Sequence, residues 1–209
     1  MSIDSTAKIH PSAVVEPGAR IGTGCEIGPF CWIGPHVELG ENVVCSSHVV
    51  IRGQTKVGSE TRIFSFAVIG EIPQDLKFKG EVSQLKIGQG NTIREHVTIN
   101  LGTQGGGGVT SIGDDCLLMA GCHIAHDAHL GNRVIIVNSA AIAGHVIIED
   151  EVIVGGLCGV HQFVRLGRGA IIGAVTMVTN DVIPFGLVQA SRGELDGLNL
   201  VGLKRRGVD

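Results

Sequence analysis

A branched aliphatic residue returns every sixth position along most of this chain. Steps of six from Ile112 to Val178 meet only Ile, Leu or Val, and steps from Ile9 to Ile69 meet the same set with Cys45 as the single departure. Four residues after each of these anchors stands a second column, from Ala13 to Ala67 and from Cys116 to Val182, in which nothing is larger than valine. A period of six fits neither the 3.6 of an α-helix nor a long alternating strand. It fits a hexapeptide solenoid, in which short strands joined by tight turns make up each coil, three hexads to the coil. Anchors and small residues then fill a triangular prism, and the chain is expected to be all-β.

Composition agrees with a thin, regular core. Glycine supplies 32 residues and aromatics only 3%, against a usual glycine share of ~7%. The formal charge of −4 argues against a general nucleic-acid binder. Met1-Ser2-Ile3-Asp4 lacks the basic and apolar stretches of a secretory leader. The most apolar segment, Val134 to Ile148, is broken by Asn138, Ser139 and His145 and falls short of the ~20 residues of a membrane span. A cytoplasmic protein without stable membrane insertion is expected. Cys25, Cys31, Cys116, Cys122 and Cys158 fall in the small column and Cys45 is an anchor, so all six read as reduced, buried hydrophobes.

Two segments break the repeat. Glu71 to Lys86 carries little hexad signal, although Ile69 and Ile87 are separated by three whole hexads, the length of a full coil. Asn100 to Ser111 shifts the frame, since the step from Ile99 to Ile112 is one position longer than two hexads. Both read as excursion loops, where function concentrates on a rigid scaffold. Gly105–Gly108 reads as a flexible loop rather than a phosphate cradle, because no P-loop Lys-Ser/Thr follows it. The prism is expected over 1–190, and 191–209 is expected to begin a C-terminal region that stops early.

Stacked coils lie ~4.8 Å apart, so residues separated by three hexads should form columns. One column reads His126, Gly144, Gln162 and the next Asp127, His145, Phe163. His126 thus has a residue without a side chain above it, whose amide suits an oxyanion donor. His123, His126 and His129 have ligand-like spacing, yet His123 and His129 belong to different faces and cannot converge within one chain. No metal or cofactor is expected. The histidines could equally serve only to cap turn carbonyls.

The motifs His123-Ile124-Ala125-His126-Asp127, Gly144-His145, Val160-His161-Gln162-Phe163 and Gly202-Leu203-Lys204-Arg205-Arg206-Gly207, with Gln74-Asp75-Leu76-Lys77 and Ile93-Arg94-Glu95, resemble those of the UDP-N-acetylglucosamine O-acyltransferases of lipid A biosynthesis. The resemblance runs in order along essentially the whole chain. It implies a left-handed parallel β-helix, a homotrimer with sites between subunits, and transfer of an (R)-3-hydroxyacyl group from acyl carrier protein to the sugar 3-position of UDP-N-acetylglucosamine. His126 would be the general base, Gly144 the oxyanion donor, and Asp127 either an orienting carboxylate or a plain turn residue. Asp75, Lys77, His123, His145, His161 and Gln162 would line the sugar and pantetheine region. Asn199 and Arg205 would meet the uridine diphosphate, where a guanidinium fork suits a diphosphate.

The chain departs from the family pattern at three points. Val201 stands where an acidic residue is common, Asn100 where histidine is frequent, and Ala174 where many relatives carry glycine at the far end of the acyl groove. The added methyl of Ala174 is expected to shorten the chain accepted. Two further readings stand beside the main one: a hexapeptide transferase using acyl-CoA or a 3-amino nucleotide sugar, and a catalytically silent trimeric scaffold.

Overall fold

A computed structural model describes residues 2–190 and 198–207. Its strands fall into three parallel sheets that form the walls of a triangular, left-handed parallel β-helix. Among the described residues the first face runs through nine strands from Ser2–Ile3 to Arg165–Leu166, the second through ten from Lys8–Ile9 to Leu187–Val188, and the third through nine from Val14–Val15 to Met177–Val178. Most strands are short because only the anchor and the residue before it are extended before the chain turns. The anchor points inward and its predecessor outward, as strand alternation requires. Anchors such as Ile33, Ile63, Ile99 and Ile142 are fully buried, and the small column (Ala19, Val43, Ala67, Val146) fills the corners.

The third residue after most anchors turns the corner in the left-handed region: Asn42, Asp115, Asp127 and His145 all have φ between 55° and 62°. Regular coils pair with an offset of three hexads, as in Arg20 with Glu38. Two excursions stretch that offset while preserving register. Val57 pairs with Ile87 and Ile69 with Ile99, an offset of five hexads, and Ile87 with Ile112 and Ile99 with Ile124, an offset of four hexads plus one.

The reading of Ile69 to Ile87 as a full coil is therefore corrected: the chain advances by one corner there, with the length of two further hexads inserted as a loop. The step from Ile99 to Ile112 is likewise a single hexad with a loop inserted, not two hexads plus one. Both loops, 72–83 and 101–108, leave from the corner between the third and first faces, on adjacent coils. Past the last strand a short helix, Leu200–Arg205, is capped by the Asn199 side chain, which accepts from the Gly202 N–H at 2.9 Å. The expected boundary at 190–191 borders 191–197, which lie outside the described residues. Among the described residues no helix is long and apolar enough to cross a membrane.

Candidate active site

On the coil above the two loops, the third-to-first corner carries His126 and Asp127. The next two coils place Gly144–His145 and Gln162–Phe163 at the same corner. The His145 amide donates to the His126 carbonyl at 3.1 Å, and the Phe163 amide to the Gly144 carbonyl at 3.3 Å. The expected columns are thus in place. Gly144 lies flat on the imidazole: a Cβ there would stand 2.6 Å from His126 Cε1 and 2.8 Å from Nε2. Among the described residues the Gly144 N–H makes no hydrogen bond.

Asp127 is 1% exposed, and its carboxylate is held from three directions. Oδ1 accepts from the Thr103 N–H at 2.8 Å, while Oδ2 accepts from Thr103 Oγ1 at 2.6 Å and lies 2.8 Å from His126 Nδ1. An ionised carboxylate can only accept, so this contact assigns the proton to Nδ1 and leaves Nε2 with a free lone pair. Asp127 thus occupies a turn position and at the same time contacts His126 directly. His145 lies further off, with Nδ1 3.8 Å from Oδ2, and its ring stacks on Phe163 at 4.5 Å.

Ring stacking at a corner is a general device of this scaffold. Phe30, His48, Phe66 and His96 stack along the second-to-third corner at centroid spacings of 4.9–5.1 Å, and no carboxylate is hydrogen-bonded to either of those histidines among the described residues. The buried acid beside His126 is what sets this corner apart. His126, Asp127 and His145 also bring three potential ligand atoms within 4.8 Å of one another. The carboxylate lone pairs nearest that point are engaged by Thr103 and His126, which is the arrangement of a hydrogen-bonded dyad.

The 101–108 loop closes over the carboxylate. Gln104–Gly106 form a 3-10 turn whose Thr103 cap accepts from the Gly106 N–H. A Cβ on Gly106 would meet Asp127 Cγ at 2.0 Å. Gly106 is thus where the loop needs a residue without a side chain to approach Asp127, a requirement beyond the reading of Gly105–Gly108 as a flexible loop.

Two cavities adjoin the dyad. One, of about 400 Å³, is a groove along the third face; it is lined by Gln74, Asn100, His123, His126, His161 and Gln162, with Ala141, Gly159 and Met177 as its floor. Those floor residues are the outward neighbours of successive anchors, and their small size hollows the wall until Met177 fills it. A Cβ on Gly159 would lie 3.1 Å from both Sδ and Cε of Met177. The second cavity, of about 760 Å³, lies between the two loops and the corner, lined by Asp75, Lys77, Phe78, Thr103, His145 and Phe163.

The structure therefore gathers Asp75, Lys77, His123, His126, Asp127, Gly144, His145, His161 and Gln162 around one corner. His129 faces away on the first wall, bonded through Nδ1 to Ser111 Oγ at 2.8 Å. Asn199 and Arg205 belong to the terminal helix segment and border neither cavity. Ala174 stands at the second-to-third corner and does not line the groove of its own chain. Sequence reasoning missed Thr103 and Met177 as site residues, and noted Asn100 without giving it a role. The anchor-minus-one positions would have revealed the Ala141–Gly159–Met177 floor, whereas Thr103 had no signal once the second loop was miscounted.

Burial holds the His123 imidazole below the usual histidine pKa, with nearby His126 a lesser cause. Burial also pushes the Cys116 thiol up to about 11 and that of Cys122 to about 12. All six cysteines are free and buried, as their columns predict.

The comparisons with known proteins point one way. The family described as "Bacterial transferase hexapeptide (six repeats)" matches residues 1–35 and 110–144, and that described as "Udp N-acetylglucosamine O-acyltransferase; Domain 2" matches 181–209. An acyl-[acyl-carrier-protein]–UDP-N-acetylglucosamine O-acyltransferase of Paracoccus denitrificans is 72% identical over 145 residues, which are 69% of this chain and 56% of that protein. The chain thus spans little more than half the length of the curated relatives it matches. The UDP-N-acetylglucosamine acyltransferase structure from Campylobacter jejuni is 45% identical, with a TM-score of 0.85 over 95% of this chain and 78% of its own. That from Francisella novicida is 42% identical, with a TM-score of 0.79 over 99% and 74% respectively.

Proposed function

We propose, from the premise that this chain belongs to the UDP-N-acetylglucosamine acyltransferase family, that it moves an (R)-3-hydroxyacyl group from acyl carrier protein to the 3-hydroxyl of UDP-N-acetylglucosamine, in the cytoplasm, as a step of lipid A biosynthesis. The observation that carries this reading is the His126–Asp127 dyad with the Gly144 main chain against its ring.

A sugar hydroxyl is a weak nucleophile until a base removes its proton, and neutral imidazole is suited to that near pH 7. His126 Nε2 takes the 3-hydroxyl proton as the oxygen attacks the thioester carbonyl. Asp127, fixed by Thr103, holds the Nδ1–H tautomer and stabilises the imidazolium that forms. The Gly144 N–H donates to the tetrahedral oxyanion. Collapse breaks the C–S bond, and His126 returns its proton to the departing pantetheine thiolate, so an ester and a thiol result. No acyl-enzyme is required, in keeping with six buried cysteines.

The groove of the third face suits the acyl chain, being floored by Ala141, Gly159 and Met177. The larger, more polar cavity between the loops suits the sugar nucleotide, with Asp75, Lys77 and His145 on its walls. Asn199 and Arg205 are the proposed uridine diphosphate contacts. The assembly is a homotrimer. Ile171 and Leu187 on the second face and Leu157 and Val175 at its corner are 45–67% exposed in the single chain, which supports a neighbouring copy covering them. Ala174 lies at that corner, so a neighbour would bring it to the groove.

The test is acyl transfer to UDP-N-acetylglucosamine from 3-hydroxyacyl carrier proteins, by wild type and His126→Ala. A loss of about 10²–10⁴-fold in the variant is expected for a general base. Turnover with acyl-CoA but not with the carrier protein, or an unaffected variant, would overturn the reading.

A further inference from the structure

We propose that the side-chain carbonyl of Asn100 is the acceptor that reads the 3-hydroxyl of the incoming acyl group; the proposal rests on the acyl-transfer reading above. Asn100 ends the third-face strand Thr98–Asn100, opposite a register shift between Ile69 and Glu71 that pairs it with Glu71. Bulges of this kind re-aim side chains beside active sites. The residue is 3% exposed.

Its amide N–H2 donates to the Ile72 carbonyl at 3.1 Å and to that of Glu71 at 3.5 Å. These bonds to the base of the first loop settle which amide atom is nitrogen and which is oxygen. That oxygen is buried and has no hydrogen-bond partner among the described residues. A buried polar atom left unpaired is uncommon and costly. Only one other side-chain atom shares the condition among the described residues, Ser83 Oγ, and Ser83 borders neither cavity.

The position narrows what Oδ1 awaits. Asn100 lines the groove with Gln74, His123 and His126, and does not border the cavity of Asp75, Lys77 and His145. It therefore stands on the acyl side of the base. Its neighbour His123 is already engaged, with Nδ1 2.7 Å from Thr98 Oγ1. An acceptor there needs an O–H or N–H from the ligand. On an acyl donor the 3-hydroxyl is the donor group near the reacting carbonyl, only two carbons along the chain. An unsubstituted acyl chain would lay C–H groups against Oδ1 and leave it unpaired, and a 3-oxoacyl chain would oppose it with a second acceptor.

The experiment measures kcat/KM for carrier proteins bearing 3-hydroxyacyl, unsubstituted and 3-oxoacyl chains of one length, with wild type and Asn100→Ala. Wild type should favour the hydroxyacyl donor over the unsubstituted one by about 10–100-fold, the range expected for a buried acceptor left unpaired, and should use the 3-oxo donor least. In Asn100→Ala the hydroxyacyl preference should fall toward unity. Loss of the bond to Ile72 would slow all three donors together, so the ratio separates recognition from structural support. A wild-type ratio retained in the variant would overturn the proposal, as would a wild-type enzyme that uses 3-oxo and 3-hydroxy donors equally. If Asn100→Ala fails to fold, Asn100→Leu, which fills the same space without an acceptor, takes its place, and a hydroxyacyl preference retained there would equally overturn the proposal. Absence of transfer from every donor would instead sink the acyl-transfer reading, and the role of Asn100 with it.

Discussion

Replacing Asp127 by asparagine changes one atom and should disable the base without disturbing the fold. In the native site Oδ1 accepts from the Thr103 N–H at 2.8 Å, and Oδ2 meets Thr103 Oγ1 at 2.6 Å and His126 Nδ1 at 2.8 Å. The Thr103 N–H can only donate, so it holds the asparagine oxygen at the Oδ1 position and points the new N–H2 toward Oγ1 and the imidazole. The threonine hydroxyl can rotate to accept. The imidazole can accept only by moving its proton from Nδ1 to Nε2, the atom proposed to take the proton of the sugar. The variant then forfeits the ~10²–10⁴-fold of general-base catalysis, which is about 2.7–5.4 kcal/mol of barrier at ~1.36 kcal/mol per decade. Acyl transfer from a 3-hydroxyacyl carrier protein, measured on Asp127→Asn, His126→Ala and the double variant, tests this. The double variant should be no slower than His126→Ala, because the two residues act as a unit, and the thermal midpoint of Asp127→Asn should stay near wild type. A rate for Asp127→Asn within about tenfold of wild type would refute the tautomer argument.

Gly144→Ala should lower kcat by about 10²-fold with little change in sugar KM, because a Cβ 2.6 Å from His126 Cε1 must displace the ring and a misplacement of about 1 Å costs that much; an unchanged kcat would place the ring elsewhere. Met177→Ala should lengthen the preferred acyl chain by about four methylenes, since it frees one coil spacing of ~4.8 Å beyond Gly159; a donor-length series with an unmoved optimum would count against Met177 as the stop. The thiols should resist alkylation at pH 8 in the folded protein, since burial raises Cys116 to about 11 and Cys122 to about 12. The unfolded chain loses those protons near pH ~8.5, so between there and the folded values the native state binds more protons and stability falls as pH rises; a denaturant midpoint flat from pH 8 to 11 would contradict this.

Much of the fold was legible because the period is strict. The anchors at steps of six give all three walls, and stepping up by one coil puts His126 under Gly144 and Asp127 under His145. The same arithmetic failed where the chain leaves the prism, because counting positions between Ile69 and Ile87 cannot distinguish a full coil from one hexad carrying a loop two hexads long. That miscount hid Thr103, which reaches Asp127 only because the second loop folds back over the same corner. The role of Asp127 stayed open for the same reason. Ala174 and Arg205 mark another boundary: spacing along one chain says nothing about what a neighbouring copy or a terminal helix brings to a groove.

Each coil touches only the coils before and after it, and stability in such an array is set rung by rung. Fraying must therefore begin at an open end and proceed inward. The coils of His126, Gly144 and Gln162 have ordered coils on both sides, reaching down to Ser2–Ile3 and up to Leu187–Val188. Several layers would have to peel away before the dyad loosened. The corner of His126 and Asp127 thus borrows rigidity from coils remote from it, and lengthening or trimming the stack at its far end is a way to tune the persistence of that corner without altering its residues.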